Sequence, residues 1–203
     1  MIKERHRLKI GVVGLRFGRA FAQVFADHPD CELAAVADME ADRRAEFSSA
    51  VGGARMYSTL EEVLADGEVE AVGVFTPAPR HAEHSCAALE AGKHVLCAVP
   101  AGLTLDDCER LIRTVDRTGR TYMMAETSCY YPEILHLKAL TREGEMGEVF
   151  YCESDYFHDA LREPEIWQGP PHRGGWRQGF PPFLYITHNS SAIIEVTGQR
   201  TVS

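Results

Sequence analysis

Strand-like and helix-like patterns of apolar residues alternate along the first ~120 residues of the chain. Runs rich in β-branched residues predict strands at Leu8–Val13, Glu32–Ala37, Ala71–Phe75, His94–Cys97 and Thr121–Ala125. Segments with apolar residues at helical spacing predict helices at Phe17–Ala26, Glu40–Val51, Leu60–Ala65, His81–Ala91 and Leu105–Thr118. This alternation is typical of βαβ units, so the predicted fold class is α/β, with a doubly wound parallel sheet.

Helix-start and helix-stop residues support these boundaries. Thr104 and Asp107 have the spacing of a capping box, and Gly119 follows the last turn of the same helix as a C-cap. The short helix predicted earlier in the chain, at residues 60–65, has a start signal in one of two registers, Ser58 with Glu61 or Thr59 with Glu62. These helices are therefore marked at their ends as well as by periodicity.

The pattern changes after Ala125, so we predict a first domain at residues 1–124 and a second at residues 125–203. In the second domain the elements predicted are a helix at Ile134–Arg142, a long strand at Glu148–His158 and a helix near Ser190–Val196. One strand with open edges is not a stable sheet. We therefore expect the start of an incomplete α+β domain. We expect these residues to be the front part of a longer architecture whose further strands cover the apolar run at Phe180–Ile186. If no more chain exists, a second subunit of a homo-oligomer or a repositioned segment of the chain would cover it.

Composition limits the partners and the compartment. The chain has 203 residues, of which 45% are hydrophobic, which suits one good core and part of a second. A formal net charge of -9 argues against nucleic acid, because proteins that bind it usually concentrate Lys and Arg on one face. No segment is apolar enough for a signal peptide or a membrane span, and the cysteines form no C-x-x-C pair. We expect a cytoplasmic protein with reduced thiols.

The turn between the first strand and the first helix carries glycines that suit a dinucleotide. In the segment LKIGVVGLRFGRAF, Gly14 and Gly18 would let the backbone approach a pyrophosphate at a helix N-terminus. The G-x-G-x-x-G pattern is incomplete, because Arg16 occupies the position of its second glycine. Arg16 is either a phosphate-facing cation or a solvated loop residue, and Phe17 completes the candidate cofactor-binding turn. The alternative is an ordinary tight βα turn.

Asp38 ends the second strand about 20 residues further on, where a carboxylate accepts hydrogen bonds from the adenosine ribose. This spacing favours a dinucleotide-binding Rossmann domain, and the alternative role of Asp38 is to cap the following helix. Repulsion between Asp38 and a 2′-phosphate predicts that NAD is favoured over NADP as the cofactor. Arg43 and Arg44 would soften that repulsion if they turned inward, but we expect both to point to solvent.

A longer segment, TPAPRHAEHSCAALEAGKHVLCAVP, resembles the Gfo/Idh/MocA family of nicotinamide-dependent sugar oxidoreductases. The family pattern is T-P-x-x-x-H, then A-L-x-A-G-K-H-V, then a motif that ends in Glu-Lys-Pro. The resemblance covers nearly the whole chain. It implies a Rossmann domain followed by an α/β domain, whose open sheet forms the substrate pocket and often a subunit interface.

The resemblance also implies roles for individual residues of the first domain. Thr76 and Pro77 would lie beside the nicotinamide ribose. His81 would open the following helix, either as a cofactor-binding residue or as one that bonds nearby backbone. Ala98 and Val99, which we expect beside the cofactor, are followed by Pro100, and this tripeptide stands where the family has Glu-Lys-Pro. The family lysine is expected beside the reacting carbinol, and valine can neither donate a hydrogen bond nor carry charge.

A second family landmark, Asp-x-x-x-His, aligns with Leu184 and His188, so the histidine is kept and the aspartate is not. His188 is the best candidate for the base that takes a hydroxyl proton, because imidazole titrates near neutrality. The alternative is a capping or core histidine at a helix start. Glu126, directly after the strand that ends at Ala125, is the second candidate catalytic residue, since ligands bind at the carboxyl ends of such strands.

Other polar residues of the second domain have weaker claims on a site. Several of them could line a substrate pocket, but we favour the interpretation that they lie on the two faces of a strand. These residues are Tyr130, Tyr131, Asp155, Tyr156, His158 and Asp159. His158, Asp159 and His172 are of metal-ligand type, but they are scattered over a strand and a loop, so we predict no metal.

Three functions remain open from the sequence. The first is NAD-dependent oxidation of a sugar or polyol hydroxyl, or reduction of the ketone, with His188 as acid and base. The second is a redox-neutral elimination or hydrolysis with tightly bound NAD. The third is dinucleotide binding without chemistry, since the family lysine is missing. Net consumption of NAD separates the first from the second, and any turnover separates both from the third.

Overall fold

The computed structural model describes residues 6–159, residue 177 and residues 180–199, and it divides the chain into two compact units, Met1–Met124 and Ala125–Ser203. Up to the end of the sheet the elements are β1 (Leu8–Val13), α1 (Leu15–Asp27), β2 (Cys31–Ala37), α2 (Ala41–Val51), β3 (Arg55–Tyr57), α3 (Leu60–Ala65), β4 (Ala71–Val74), α4 (His81–Glu90), β5 (His94–Ala98), α5 (Leu105–Thr118) and β6 (Tyr122–Ala125). The described helices of the second unit are α6 (Pro132–Arg142) and α7 (Thr187–Thr197). Short 3₁₀ helices lie at Ala78–Arg80, Ser128–Tyr130 and Pro182–Tyr185.

The sheet has six strands in the order β3-β2-β1-β4-β5-β6. The pairs β1 with β2, β1 with β4, β2 with β3 and β4 with β5 are parallel. The chain moves outward in one direction from β1 to β3 and in the other from β4 to β6, so the strand order reverses beside β1. This is the doubly wound Rossmann order, which confirms the predicted fold class and places a ligand crevice at the carboxyl ends of β1 and β4.

Both faces of the sheet are covered by helices, which explains why its central strands are apolar throughout. Val12 belongs to one buried cluster and the adjacent Val13 to the other, because successive side chains of a strand point to opposite faces. Phe47 of α2 packs in the first cluster, and Leu89 of α4 and Leu111 of α5 pack in the second.

The predicted helix caps of the first unit are present. The Asp107 N–H donates to Thr104 Oγ1 at 3.1 Å, and Asp107 Oδ2 accepts from the Thr104 N–H at 3.2 Å, which completes the capping box. Gly119 ends α5 in the left-handed conformation with φ 63. Of the two registers open for α3, the box that forms is Thr59 with Glu62.

β3 is the element of this unit that the sequence did not predict. It has three residues, Arg55–Tyr57, and it pairs with β2 at the edge of the sheet. A strand so short shows too little alternation to be recognised by its pattern. The other predicted strands and helices of the unit are confirmed, with ends that differ by a residue or two.

The predicted strand at Glu148–His158 is wrong. Residues 148–159 form neither strand nor helix, and within the described ranges no other segment pairs with them, as a strand requires. Phe150 and Phe157 are 95% and 87% exposed. The segment is instead tied to α7, because Asn189 Nδ2 donates to the Ser154 carbonyl at 2.7 Å.

The helices α6 and α7 confirm the two helices predicted for the second unit, and each begins earlier than its apolar pattern does. Lys138 of α6 forms an ion pair with Glu195 of α7. Most of the Gly- and Pro-rich stretch between the segment at 148–159 and α7 lies outside the described residues. In the part of the chain that is described, no helix is both long and apolar enough to span a bilayer.

Candidate functional site

The turn after β1 is shaped by a glycine that no other residue could replace without strain. Gly14 precedes α1 with φ 95, in the left-handed region, and a Cβ atom there would lie 2.5 Å from the carbonyl oxygen of Phe75. A Cβ on Gly18 would lie 2.8 Å from the Phe75 ring. The two predicted glycines therefore let the start of α1 pack closely against the end of β4.

The first turn of α1 suits the phosphate groups of a dinucleotide. Gly14 has no side chain with which to cap the helix, and the first turn contains no acidic residue that would repel an anion. Arg16 and Phe17, both exposed, lie in this turn, and the Phe17 ring centroid is 6.0 Å from that of Phe75. The residues present thus fit the pyrophosphate-binding part of a Rossmann domain.

Asp38, at the end of β2, is buried and accepts hydrogen bonds with both carboxylate oxygens. Its Oδ2 accepts from the Leu15 N–H of α1 at 2.8 Å, and its Oδ1 accepts from the Glu40 N–H at 2.9 Å. The carboxylate therefore joins the glycine turn to the start of α2. This is the position from which an acidic residue meets the adenosine ribose in Rossmann domains.

Arg43 and Arg44 do not point to solvent as the sequence led us to expect. Arg43 Nη1 donates to Asp38 Oδ1 at 3.2 Å, and Arg44 Nη1 donates to the backbone carbonyls of Asp38 and Met39 at 2.5 and 3.1 Å. The physical reason is the charge of Asp38, which lies within reach of the first turn of α2 and attracts the guanidinium groups. Arg43 consequently forms an ion pair with Asp38, the residue that is the candidate for binding the adenosine ribose.

His81 uses both ring nitrogens on backbone carbonyls. Nδ1 lies 2.7 Å from the Pro100 oxygen and Nε2 lies 2.7 Å from the Thr76 oxygen, so the buried ring ties the loop after β4 to the loop after β5. Burial lowers the pKa of His81, although the two carbonyl contacts oppose this effect. Of the two roles considered for His81, this geometry is that of a residue that bonds nearby backbone.

The two loops that His81 joins present few polar side chains. Thr76 Oγ1 is 2.9 Å from His84 Nδ1, whereas Pro77 is exposed. Ala98 and Val99 are both buried at the end of β5, followed by a cis bond between Val99 and Pro100. No charged side chain replaces the family lysine within this tripeptide.

In the second unit, the structure brings His188 and Glu126 together. His188 lies in the first turn of α7, and its Nδ1 is 2.7 Å from Glu126 Oε1. The side chains are only 6% and 7% exposed. Ser128 adds two contacts: its N–H donates to Glu126 Oε1 at 2.8 Å, and its Oγ lies 3.0 Å from His188 Nδ1.

The carboxylate fixes the tautomer of His188. An ionised carboxylate only accepts hydrogen bonds, so the proton of the neutral imidazole lies on Nδ1 and the lone pair on Nε2. Burial raises the pKa of Glu126, but the hydrogen bonds from His188 and from the Ser128 N–H outweigh it, and the net pKa is below the usual value. Among the described residues no group hydrogen-bonds to Nε2. His188 is thus arranged to accept a proton there.

Aromatic rings surround His188. The centroid of the Tyr156 ring is 4.3 Å from that of the imidazole, and the Tyr185 ring meets it edge-on at 4.9 Å. The ring centroids of His158 and Tyr156 are 4.9 Å apart, and Cζ of the Arg177 guanidinium lies 4.4 Å from the centroid of the Tyr185 ring. The sequence favours a two-faced strand for Tyr156 and His158, and the structure instead puts them in this aromatic cluster.

Sequence reasoning missed Ser128 and Tyr185 as neighbours of His188. Tyr185 stands three residues before His188, a spacing that places two side chains on one side of a helical turn, so it could have been found. Ser128 carries no such signal. Tyr130, which we also considered, is largely exposed. His172 lies outside the described residues, within which no group of three His, Cys, Asp or Glu side chains is arranged to hold a metal ion.

Comparisons with known proteins agree with this architecture. The family model of the Gfo/Idh/MocA proteins, described as an oxidoreductase family with an NAD-binding Rossmann fold, matches residues 8–126. A D-xylose 1-dehydrogenase (NADP(+)) from Hypocrea jecorina is 34% identical over 142 residues, 68% of this chain and 36% of that protein. A glycosyl hydrolase family 109 protein from Saccharopolyspora erythraea is 28% identical over 194 residues, 89% of this chain and 42% of that protein.

Among solved structures, a 3-ketoreductase from Actinomadura kijaniata in complex with TDP-benzene and NADP has the same fold. It aligns with a TM-score of 0.62 and 28% identity over 68% of this chain and 44% of that chain. The chain therefore spans less than half the length of each of these three similar proteins.

Proposed function

Because this chain belongs to the Gfo/Idh/MocA oxidoreductase family, with its NAD-binding Rossmann fold, we propose that it oxidises a hydroxyl group of a sugar or polyol, or reduces the corresponding ketone. The observation that carries the proposal is the buried pair of His188 and Glu126 in the second unit. The similar D-xylose dehydrogenase and the 3-ketoreductase support the substrate class by the activities for which they are named.

Oxidation of a carbinol removes a proton from oxygen and a hydride from carbon. When bound, the nicotinamide cofactor accepts the hydride. His188 Nε2 takes the proton, and in the reverse direction the imidazolium returns it to the carbonyl oxygen. Glu126 acts through His188 as a positioning residue, because it holds Nδ1–H at 2.7 Å and stabilises the positive charge that forms on the ring. It supplies the carboxylate that Leu184 cannot provide.

A substrate rich in hydroxyl groups suits the polar atoms near His188. Glu126 Oε2 and Thr187 Oγ1 are buried and make no well-formed hydrogen bond among the described residues, although the Thr187 hydroxyl is close enough to Glu126 to help lower its pKa. Buried polar atoms are normally satisfied, and hydroxyl groups of a sugar or polyol are donors and acceptors of the right kind. The faces of Tyr156 and Tyr185 add apolar surface of the kind that packs against the C–H groups of a sugar ring.

The cofactor that we propose is NAD in preference to NADP. Asp38 would face the 2′-phosphate of NADP, and two unit charges ~4 Å apart repel by roughly 4 kcal/mol at an effective dielectric near 20, which is an upper bound. The ion pair of Arg43 with Asp38 reduces this repulsion, so the preference for NAD is smaller than the bound. A 2′-hydroxyl instead donates a hydrogen bond to the carboxylate.

A redox-neutral reaction is the second candidate, and Val99 is the observation that favours it. The buried valine leaves no charged group at the family's lysine position. The likeness to a glycosyl hydrolase family 109 protein supports the same alternative. A bound NAD would then serve the reaction without net consumption.

One experiment separates these functions. The purified chain is examined by native mass spectrometry for bound NAD and then incubated with a panel of sugars, polyols and glycosides. Stoichiometric formation of NADH with a ketone or lactone supports the first function, whereas product without net NADH supports the second. Bound NAD with no turnover of any panel member would contradict both.

We also propose that the chain is a cytoplasmic protein that forms a homo-oligomer. We propose that it does not bind nucleic acid. Exposed aromatic side chains of the second unit, such as Phe150 and Phe183, support an interface. Six cysteines without a disulfide support a reducing compartment. Sedimentation of a single 22.6 kDa species at high concentration would contradict self-association.

A further inference from the structure

His84 lies in the first turn of α4, where its ring contacts the hydroxyl of Thr76. We propose that His84 is a positioning residue for cofactor binding. It makes the Thr76 oxygen a hydrogen-bond acceptor toward the ring, so that the hydroxyl hydrogen is donated to an oxygen of the bound dinucleotide. This inference rests on the proposed binding of NAD and adds a residue that acts on the cofactor only through Thr76.

Thr76 borders the crevice in which a dinucleotide would bind. It stands two residues after β4, the strand that pairs with β1 at the point where the strand order reverses. A Cβ atom placed on Gly14 would lie 3.1 Å from the Thr76 backbone nitrogen, so the glycine turn and Thr76 are close neighbours. Thr76 is half-buried, and within the described ranges its hydroxyl makes a hydrogen bond with His84 and with no other group.

The contact between His84 and Arg80 determines the tautomer of the imidazole. Arg80 Nε donates to His84 Nε2 at 3.3 Å, and a guanidinium can only donate hydrogen bonds. Nε2 therefore carries the lone pair, and the single proton of the neutral ring lies on Nδ1. Because Nδ1 is 2.9 Å from Thr76 Oγ1, the ring donates and the threonine oxygen accepts. The hydroxyl hydrogen of Thr76 then remains available for a ligand.

The charges around His84 are consistent with this neutral form. Burial, followed by the positive charge of Arg80, lowers the pKa of His84, and His81 acts in the same direction. The carboxylates of Glu83 and Glu61 oppose this shift without reversing it. Glu83 also keeps the guanidinium of Arg80 in place, because its Oε1 accepts from Nη2 at 3.1 Å and its Oε2 is 3.0 Å from Nε.

The direction of the Thr76 hydroxyl matters because a dinucleotide is rich in acceptors. Phosphate oxygens and the carboxamide oxygen of nicotinamide only accept hydrogen bonds, and ribose hydroxyls accept as well as donate. If His84 held its proton on Nε2, the Thr76 hydroxyl would donate to Nδ1 and would present only lone pairs to these oxygens. The tautomer of His84 therefore decides whether Thr76 attracts or repels them.

A double-mutant cycle on NAD binding tests this inference. NAD is titrated calorimetrically into the wild-type chain, Thr76→Val, His84→Leu and the double variant. Thr76→Val should weaken binding by ~10-fold and His84→Leu by ~5-fold, within the range for one hydrogen bond. The double variant should bind no more weakly than Thr76→Val, because His84 acts only through that hydroxyl. His28→Leu, which replaces an exposed histidine after α1, is the control and should bind NAD as the wild type does.

His84→Asn and NMR provide readouts that a merely structural role would not move. The asparagine amide donates N–H from a position close to that of Nδ1, so NAD affinity should stay within ~2-fold of the wild type. NMR of the ring nitrogens distinguishes a nitrogen that carries a proton from one with a lone pair. In the chain without cofactor, the signals of His84, assigned by their loss in His84→Asn, should show a proton on Nδ1 and none on Nε2.

A proton on Nε2 of His84 would overturn the inference. Losses that add in the double variant, an unchanged affinity in Thr76→Val, or a His84→Asn chain that binds as weakly as His84→Leu would do the same. If His84→Leu has a lower Tm, the asparagine variant and the NMR signals decide the question. A wild-type chain that binds no NAD would refute the proposed cofactor function together with this inference. Normal binding by the wild type with any of the other results would refute the role of His84 alone.

Discussion

The two candidate sites are built from different parts of the chain. At the nucleotide turn the essential features belong to the backbone: the positive φ of Gly14, the missing Cβ of Gly18 and the N–H of Leu15 that Asp38 accepts. In the second unit the features are side chains, since His188 and Glu126 meet through an imidazole and a carboxylate. Changes in the first site should therefore disturb structure and binding together, whereas changes in the second should remove chemistry and spare cofactor binding.

Burial differs between the two units in the same sense. The first unit buries apolar side chains on both faces of its sheet. Among the described residues of the second unit, Ala192 is the buried hydrophobic one, and the other buried residues are Glu126, Ser128 and His188. Burying polar groups is unfavourable unless they are paired. The second unit thus places its most buried side chains in a polar cluster, as expected where function rather than packing dictates the residues.

The sharpest test of this contrast is His188→Ala. We expect turnover to fall by ~10²–10⁴, because the proton acceptor is lost, while NAD affinity stays nearly unchanged. His136→Ala, an exposed histidine of α6, is the control. Steady-state rates and an NAD titration of both variants supply the measurements. A normal turnover number in His188→Ala would remove this residue from the mechanism.

Gly14→Ala tests the backbone site. The added Cβ would meet the Phe75 oxygen at 2.5 Å, and alanine is strained at φ 95, so we expect a loss of about 1–3 kcal/mol in unfolding free energy. NAD binding should weaken along with it. Gly67→Ala is the matched control, because nothing lies within 4 Å of a Cβ there. Urea denaturation and NAD titration measure both effects, and a stable variant with normal affinity would contradict the assigned turn.

Glu126→Gln asks whether the carboxylate acts through His188. The amide keeps the shape but loses the charge and offers N–H as well as C=O to Nδ1, so control of the tautomer weakens. Turnover should fall by ~10-fold or more while KM and Tm move little. Ser128→Ala, which removes only a hydroxyl at 3.0 Å from Nδ1, should have a smaller effect. Equal rates for wild type and Glu126→Gln would leave Glu126 with no part in positioning.

The smallest expected effect is a pH dependence of the first unit. Burial lowers the pKa of His81, and burial followed by the Arg80 charge lowers that of His84. The unfolded chain therefore binds protons first as the pH falls below ~6.5. The two neutral histidines therefore lower the stability of the folded state only in acid. The unfolding free energy is unaffected above about pH 6.5 and decreases below it, by at most about 1.4 kcal/mol per pH unit for each histidine.

Chemical denaturation at about pH 8 and about pH 5.5 measures this slope. His84→Gln should reduce it, and His81→Gln should reduce it further if the variant folds. An unchanged slope in His84→Gln, or a chain that gains stability in acid, would show that these histidines are not held neutral in the folded state.

The sequence alone determined the architecture of the first unit, because the signals there are local. Central strands buried on both faces appear as continuous apolar runs, and the capping boxes at Thr59 and Thr104 mark helix starts within four residues of sequence. The same holds for Gly14 and Asp38, whose spacing follows from one βαβ unit. The short edge strand β3 could not be predicted, because three residues are too few to show an alternation of apolar and polar side chains.

Only the tertiary structure decided the features that depend on partners distant in sequence. Residues 148–158 have the composition of a strand, but a strand exists only where another segment pairs with it. The direction of Arg43 was set by the carboxylate of Asp38, which the sequence of α2 does not reveal. Glu126 and His188 are 62 residues apart, and their contact at 2.7 Å follows from how α7 packs rather than from any local pattern. Local signals fixed the helices and the central strands, whereas long-range packing decided whether residues 148–158 form a strand and which side chains meet.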